Sequence, residues 1–137
     1  MRKFTFLIML FFASALVAQA QHAAPKNVVK ADDQALAKIK AGKAYLVDVR
    51  TPEEFDGGHL KYAQNINFNS PDFKSQIAKL DKNKPVYLYC RSGNRSGKAA
   101  DTLQTLDFQS YYNIGGFEQL KAEGLPAEQL QNTASKK

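Results

Sequence analysis

Apolar and polar positions in this chain change period several times, and each change marks a short element. Behind Arg2 and Lys3, Phe4 to Val17 form an apolar run that gives way to Ala18-Gln19-Ala20. A basic start, an apolar stretch and a small-x-small triplet together read as an export signal cleaved after Ala20. Residues 21–27 read as a flexible lead-in. Leu36 and Ile39 then recur at helical spacing behind Asp32 and Asp33, either of which can cap a helix running to about Lys40, with Gly42 as its stop. Ala44 to Val49 is apolar enough for a strand buried on both faces. Thr51-Pro52-Glu53-Glu54 reads as a helix start, with threonine as cap, proline first and acids in the first turn. Gly57-Gly58 ends it, and Asn65 to Phe68 reads as a short strand. Ser70-Pro71 opens another helix with Phe73, Ile77 and Leu80 inward. Pro85 starts a strand ending at Cys90, and Arg95 to Leu106 reads as a longer helix buried through Ala99, Ala100, Leu103 and Leu106. Ser110 to Ile114 is the last strand, and Gly115-Gly116 leads into a helix ending near Gly124. Residues 127–137 read as a polar tail. Strands alternating with helices predict one α/β domain over residues 28–126, a small, mostly parallel sheet covered by helices on both faces.

Charge and composition exclude more than they identify. Of the 137 residues, 19 are Lys or Arg and 13 are acidic. Cleavage after Ala20 would leave 117 residues (137 − 20) and 17 basic residues (19 − 2), a net charge of +4. The lysines are scattered, without a basic and aromatic stripe, which argues against nucleic acid as a partner. The leading apolar run is short for a membrane span, so no stable membrane anchor is expected. No cluster of Cys and His can hold a metal, and no cofactor is expected.

Cys90, the chain's one cysteine, carries the candidate chemistry. It ends the strand Val86–Tyr89 and opens the loop Arg91-Ser92-Gly93-Asn94-Arg95-Ser96-Gly97. Open α/β sheets bind ligands at the carboxyl edge of their strands, which is where this places the sulfur. The following helix directs its free N–H groups and dipole at the loop, and Arg91, Arg95 and Lys98 add positive charge. Both effects favour a thiolate, the nucleophilic form of cysteine, so alkylation is expected well below the pH a free thiol needs. The loop is too polar and too rich in glycine for Cys90 to read as core. Its amides from Arg91 to Ser96 can form an anion-binding nest, with Gly93 and Gly97 easing the dihedrals. Arg91 and Arg95 can orient the oxygens of a sulfonate-like donor. Ser92 and Ser96 can add hydroxyl donors, although helix capping accounts for Ser96 equally well. In an exported protein, a cysteine with no internal partner must discharge any sulfur-bound intermediate to an outside molecule.

Three segments together resemble the rhodanese-like domain family. Leu46 to Phe55, followed by Gly58-His59-Leu60 and Ala63 to Ile66, is similar to its first signature. Val86 to Ser96 resembles its active-site loop, and Asn113-Ile114-Gly115-Gly116-Phe117 through Gly124-Leu125-Pro126 its closing signature. The resemblance implies a rhodanese-like fold and a persulfide carried on Cys90. Sulfur would come from a small-molecule donor such as thiosulfate and pass to a thiophilic acceptor, cyanide or a thiol, a protein thiol included. It is closest in kind to exported single-domain thiosulfate sulfurtransferases, which implies a periplasmic location and a monomer or weak dimer. A basic residue directly after the cysteine favours thiosulfate over mercaptopyruvate. The resemblance also implies that Asp48 and Arg50 buttress the loop as an ion pair, and that His59 serves its turn structurally.

Two other readings stay open on sequence. Cysteine-based phosphatases also cradle an oxyanion ahead of a helix, but with five residues between cysteine and arginine; here Cys90 and Arg95 have four between them, and Ser96 takes the phosphatase position. A rhodanese-like domain used only for binding is the other, although such domains typically lose the cysteine that this chain keeps. Three positions depart from the family pattern. Lys61-Tyr62-Ala63 lacks the usual glycine, Phe68 stands where proline is common, and Leu120 where tryptophan is.

Overall fold

Residues 27–130 are described by a computed structural model. The export segment, nearly all of the lead-in and residues 131–137 lie outside the described residues. Along the chain run α1 (Asp33–Lys40), β1 (Tyr45–Asp48), α2 (Pro52–Asp56), β2 (His59–Leu60) and β3 (Ala63–Asn65). There follow α3 (Phe73–Ile77), β4 (Val86–Cys90), α4 (Asn94–Thr105), β5 (Tyr111–Gly116), α5 (Phe117–Ala122) and β6 (Ala127–Glu128). Among the described residues no helix is long and apolar enough to cross a membrane.

Local chemistry sets the helix starts where it is unambiguous. Asp32 accepts the Ala35 N–H at 2.8 Å and caps α1. At α2, Thr51 Oγ1 accepts from the Glu54 N–H and Glu54 Oε2 accepts from the Thr51 N–H, a reciprocal capping box with Pro52 at the first helical position.

The sheet has the order β3-β1-β4-β5, all parallel. Alternation along the two central strands divides the core. Val47, Val49, Val86, Leu88 and Cys90 face a cluster with Phe73 and Ile77 of α3 and Ala99 and Leu103 of α4. Leu46 and Tyr89 face the opposite cluster with Ile39 of α1 and Phe117 and Leu120 of α5. Both faces are therefore covered, which is why these strands carry no exposed polar alternation.

Several boundaries differ from the sequence pattern. β3 occupies Ala63–Asn65 rather than Asn65 to Phe68, because its register is fixed by pairing with Leu46–Asp48 rather than by its own propensity. The Ile66 and Phe68 amides still bond to the Asp48 and Val49 carbonyls, each at 3.0 Å. A proline at 68 could not make the second of these bonds. α3 begins at Phe73, since Ser70 to Asp72 form a turn, and Ala127–Glu128 leave the expected polar tail to pair antiparallel with His59–Leu60. Tyr62, in the turn where the family glycine is missing, has φ +71°.

Candidate active site

Cys90 is the last residue of β4 and is fully buried, its side chain within the α3–α4 core cluster. The polar loop does not expose it, contrary to the sequence reading. Instead the loop folds over the sulfur and supplies donors. The Gly93 N–H donates to Cys90 Sγ at 3.0 Å, and the Ser96 hydroxyl oxygen lies 3.4 Å from it. Burial is the largest influence on the thiol and pushes it up. The Ser96 hydroxyl and the amides of Ser96, Ser92 and Gly93 pull it down and together prevail, so the thiol lies below its ordinary value of 9.0. Such donors suit a negatively charged sulfur atom.

α4 starts one residue earlier than its pattern suggests. Gly93 is its cap, at φ +92°, a left-handed conformation that favours glycine. Gly97 lies inside the helix and has no such role. Nor does Ser96 cap: it is buried in the first turn, and its hydroxyl donates to Asn113 Oδ1 at 2.7 Å. Ser92 and Asn94 are exposed on the loop, Ser92 contributing its amide to the sulfur.

The two loop arginines are placed differently. Arg95 makes a two-pronged contact with Glu54 of α2, at 2.8 and 3.0 Å. That contact, with the Thr51 capping bonds, outweighs partial burial and holds the Glu54 carboxyl down at about 2. Arg91 is exposed and unpaired in this network. With Glu54, Gly58, Phe117 and Glu118 it lines a cleft of about 440 Å³ beside the loop.

Asp48 and Arg50 form the expected buried ion pair at the end of β1, with Nη2 to Oδ2 at 2.7 Å. Arg50 Nη2 also donates to the Gly58 carbonyl at 2.6 Å, and the guanidinium carbon sits 4.3 Å from the Phe117 ring centroid. Tyr89 accepts the Leu60 N–H at 3.0 Å; burial first, then the Asp48 charge, hold its phenol well above the ordinary range. The pair thus ties β1 to the turn after α2 and to α5. His59 is buried, stacks on Phe55 at 3.8 Å, has Nδ1 2.9 Å from the Phe55 carbonyl oxygen and Nε2 3.5 Å from Glu128. It joins α2 to β6 rather than facing the sulfur.

Three residues with no role assigned from the sequence shape this site. Glu54 occupies Arg95, and Asn65 Nδ2 donates to the carbonyls of Asp48 and Arg50 at 3.0 and 2.9 Å. Asn113, 2% exposed on β5, donates through Nδ2 to the Gly93 carbonyl at 2.9 Å and accepts from Ser96. Asn113 opens the segment that resembles the family's closing signature, and it is a polar residue inside an otherwise apolar strand, but neither signal gives it a partner.

Comparison with known proteins agrees with this fold. The family model for the rhodanese-like domain matches residues 31–123. The chain is 34% identical over 114 residues to the uncharacterized protein YqhL of Bacillus subtilis (strain 168), covering 82% of this chain and 89% of YqhL. It is 36% identical over 104 residues to the thiosulfate sulfurtransferase GlpE of Pseudomonas putida, covering 74% of this chain and 91% of GlpE. Among solved structures it is similar to a rhodanese with anions from E. coli, with TM-score 0.54 and 29% identity over 63% of this chain and 98% of that one. A parallel sheet ending in a cradled cysteine, a family match from α1 through α5 and relatives of this size lead to one assignment: the chain belongs to the rhodanese-like domain family of sulfurtransferases.

Proposed function

We propose that the protein is a thiosulfate sulfurtransferase that carries sulfane sulfur on Cys90. The observation that carries the reading is the cradle itself: a single sulfur atom at the end of β4, bonded by the Gly93 N–H at 3.0 Å, with further loop donors favouring its charged form. The similarity to GlpE supports thiosulfate as donor.

In the first half-reaction the Cys90 thiolate uses a lone pair to attack the outer sulfur of thiosulfate. A new S–S bond forms, the old one breaks, and sulfite leaves with the bonding pair. The product is a cysteine persulfide whose terminal sulfur is anionic and meets the same amide donors. In the second half-reaction cyanide, or an acceptor thiolate, attacks that outer sulfur. The Cys90–sulfur bond breaks and the thiolate returns, with thiocyanate or a new persulfide as product. No external oxidant or reductant is needed. Arg91, at the rim of the cleft, is a cation placed to meet the sulfonate oxygens of the donor.

Intact-mass spectrometry of the reduced protein, before and after thiosulfate and then cyanide, tests this. The expected result is a gain of one sulfur that Cys90→Ala lacks and that cyanide removes as thiocyanate. No gain with thiosulfate would overturn the donor assignment. No gain with mercaptopyruvate or polysulfide either would leave a binding domain with an idle cysteine. Export to the periplasm belongs to the same proposal, on the strength of the leading residues. Amino-terminal sequencing of the protein from cells checks it, with Gln21 expected first.

A further inference from the structure

The Asn113 amide is oriented by two backbone groups whose roles are fixed. Its Oδ1 accepts from the Gly115 N–H at 3.1 Å, and its Nδ2 donates to the Gly93 carbonyl at 2.9 Å. A backbone N–H can only donate and a carbonyl can only accept, so the amide cannot be flipped without breaking both bonds. Ser96 therefore meets an oxygen of Asn113, at 2.7 Å, and must donate to it. A hydroxyl has one proton. While that proton points at Asn113, what Ser96 presents to Cys90 Sγ at 3.4 Å is a lone pair. A lone pair suits the protonated thiol, which can donate to it, and does not suit a charged sulfur.

We propose that Asn113 is a positioning residue for Cys90: it holds the Ser96 hydroxyl proton away from the sulfur, so that Ser96 accepts from the resting thiol and turns to donate only when the sulfur becomes anionic. The proposal rests on Cys90 being the reacting sulfur. It adds a residue that touches neither the sulfur nor the donor and acts through one that does. The turn gives up a short bond to Asn113 in exchange for a bond to the anion. Asn113 thereby sets how strongly the loop favours the thiol over the thiolate. The Asn113–Ser96–Cys90 line is buried throughout, so water cannot substitute for a missing partner without entering the core. The charged groups nearest the sulfur are Arg95 with its partner Glu54 from α2 and the Asp48–Arg50 pair from β1, with Arg91 of the loop exposed beyond them. β5 brings only neutral residues there, Asn113 to Gly116. The Asn113 effect is thus one of hydrogen-bond direction and not of charge.

The test is the pH dependence of Cys90 alkylation in Asn113→Leu, Ser96→Ala and the double variant. Leucine has a similar size and no acceptor, which releases the hydroxyl to the sulfur. The alkylation midpoint of Asn113→Leu is expected to fall by roughly half a unit to one unit, the worth of one neutral hydrogen bond. The same substitution made in the Ser96→Ala background is expected to leave the midpoint where Ser96→Ala alone puts it. A residue that merely braces the loop gives the opposite sign, since slackening the cradle raises the midpoint with or without Ser96. A rise, no change, or an equal shift in both backgrounds overturns the proposal. Should Asn113→Leu not fold, infrared spectroscopy of the lone S–H stretch decides the matter. In acid the Ser96→Ala band is expected at higher wavenumber than wild type, because the thiol loses its acceptor; an unshifted band refutes the assignment. Neither readout uses a sulfur donor, so a failure to carry sulfur would leave both intact.

Discussion

The active loop has no clearance over Gly116, and that contact makes a sharp test of how the cradle is held. A Cβ at this position would lie 2.5 Å from the Arg91 carbonyl oxygen, 3.2 Å from its carbon and 3.3 Å from Ser92 Cα. Gly116 has φ −106° and ψ 146°, which any residue adopts, so the glycine is required for space and not for backbone freedom. Carbon and oxygen settle at about 3.3 Å, so the Arg91 peptide must retreat by roughly 0.8 Å. All three obstructing atoms are backbone, and no rotamer change can absorb the displacement. Cys90 lies one residue before Arg91 and the sulfur-bound Gly93 N–H two residues after it, so the shift passes directly into the cradle. Misplacement on that scale costs about 100-fold in rate, and overpacking costs about 1–3 kcal/mol of stability.

Gly116→Ala is therefore expected to lose about 100-fold in kcat/KM for thiosulfate-to-cyanide transfer and to react more slowly with iodoacetamide at neutral pH. Its urea midpoint should fall with an unchanged slope. Gly42→Ala is the matched control. Gly42 has φ +71° but nothing within 4 Å of the added carbon, so it should cost about 1 kcal/mol of local strain and leave transfer untouched. Wild-type kcat/KM and alkylation in Gly116→Ala would refute the argument that β5 seats the loop.

Three further outcomes follow from the same contacts. Glu54→Gln should destabilise the protein at pH 7 by about 1 kcal/mol, after discounting for partial solvent exposure. Glu54 is held down at about 2 against an ordinary 4.5, so its contribution is complete above pH 4.5 and lost as pH falls through about 2; urea titrations of both proteins should converge there. The Cys90 thiol is lowered by folding, so the unfolded chain holds that proton more tightly. Stability relative to Cys90→Ser should rise with pH from the folded thiol's midpoint up to about 9.0 and level off above it, and a flat difference would contradict the cradle. Tyr62 is half-exposed at φ +71°, so Tyr62→Gly should gain about 0.5–1 kcal/mol by thermal denaturation, with activity unchanged.

What the sequence makes legible is local. The Thr51 capping box, Asp32 as cap, the two-faced apolar strands and Cys90 at the end of β4 each depend on residues within a turn or a strand of one another. What it hides are partnerships across the chain. Arg95 and Glu54 are 41 positions apart, and nothing near either announces the other. Ser96 reads equally well as a helix cap until β5 brings Asn113 beneath it. The β-bulge between Leu88 and Tyr89 opposite Asn113 and Gly115 sets that approach, and no period in the sequence encodes it. β6 is two residues long and takes its conformation from His59–Leu60, so its own polar sequence reads as tail.

The same distinction changes the account of how the sulfur is charged. By sequence, the full charges of Arg91 and Arg95 are the obvious source of a lowered thiol. The fold spends Arg95 on Glu54 and leaves Arg91 in solvent, where screening weakens it. The influences that offset burial of the Cys90 thiolate are instead hydrogen bonds from the amides of Ser96, Ser92 and Gly93 and from the Ser96 hydroxyl once it turns to the charged sulfur. Short-range donors inside a low-dielectric site discriminate by position in a way that a surface charge cannot. They act on whichever sulfur occupies the cradle, first the Cys90 thiolate and then, in the proposed cycle, the terminal atom of the persulfide. In the proposed cycle Arg91, at the rim, attracts the donor without anchoring the sulfur. A site built in this way would, in that cycle, keep its negative sulfur stable while the sulfonate group that delivered it leaves.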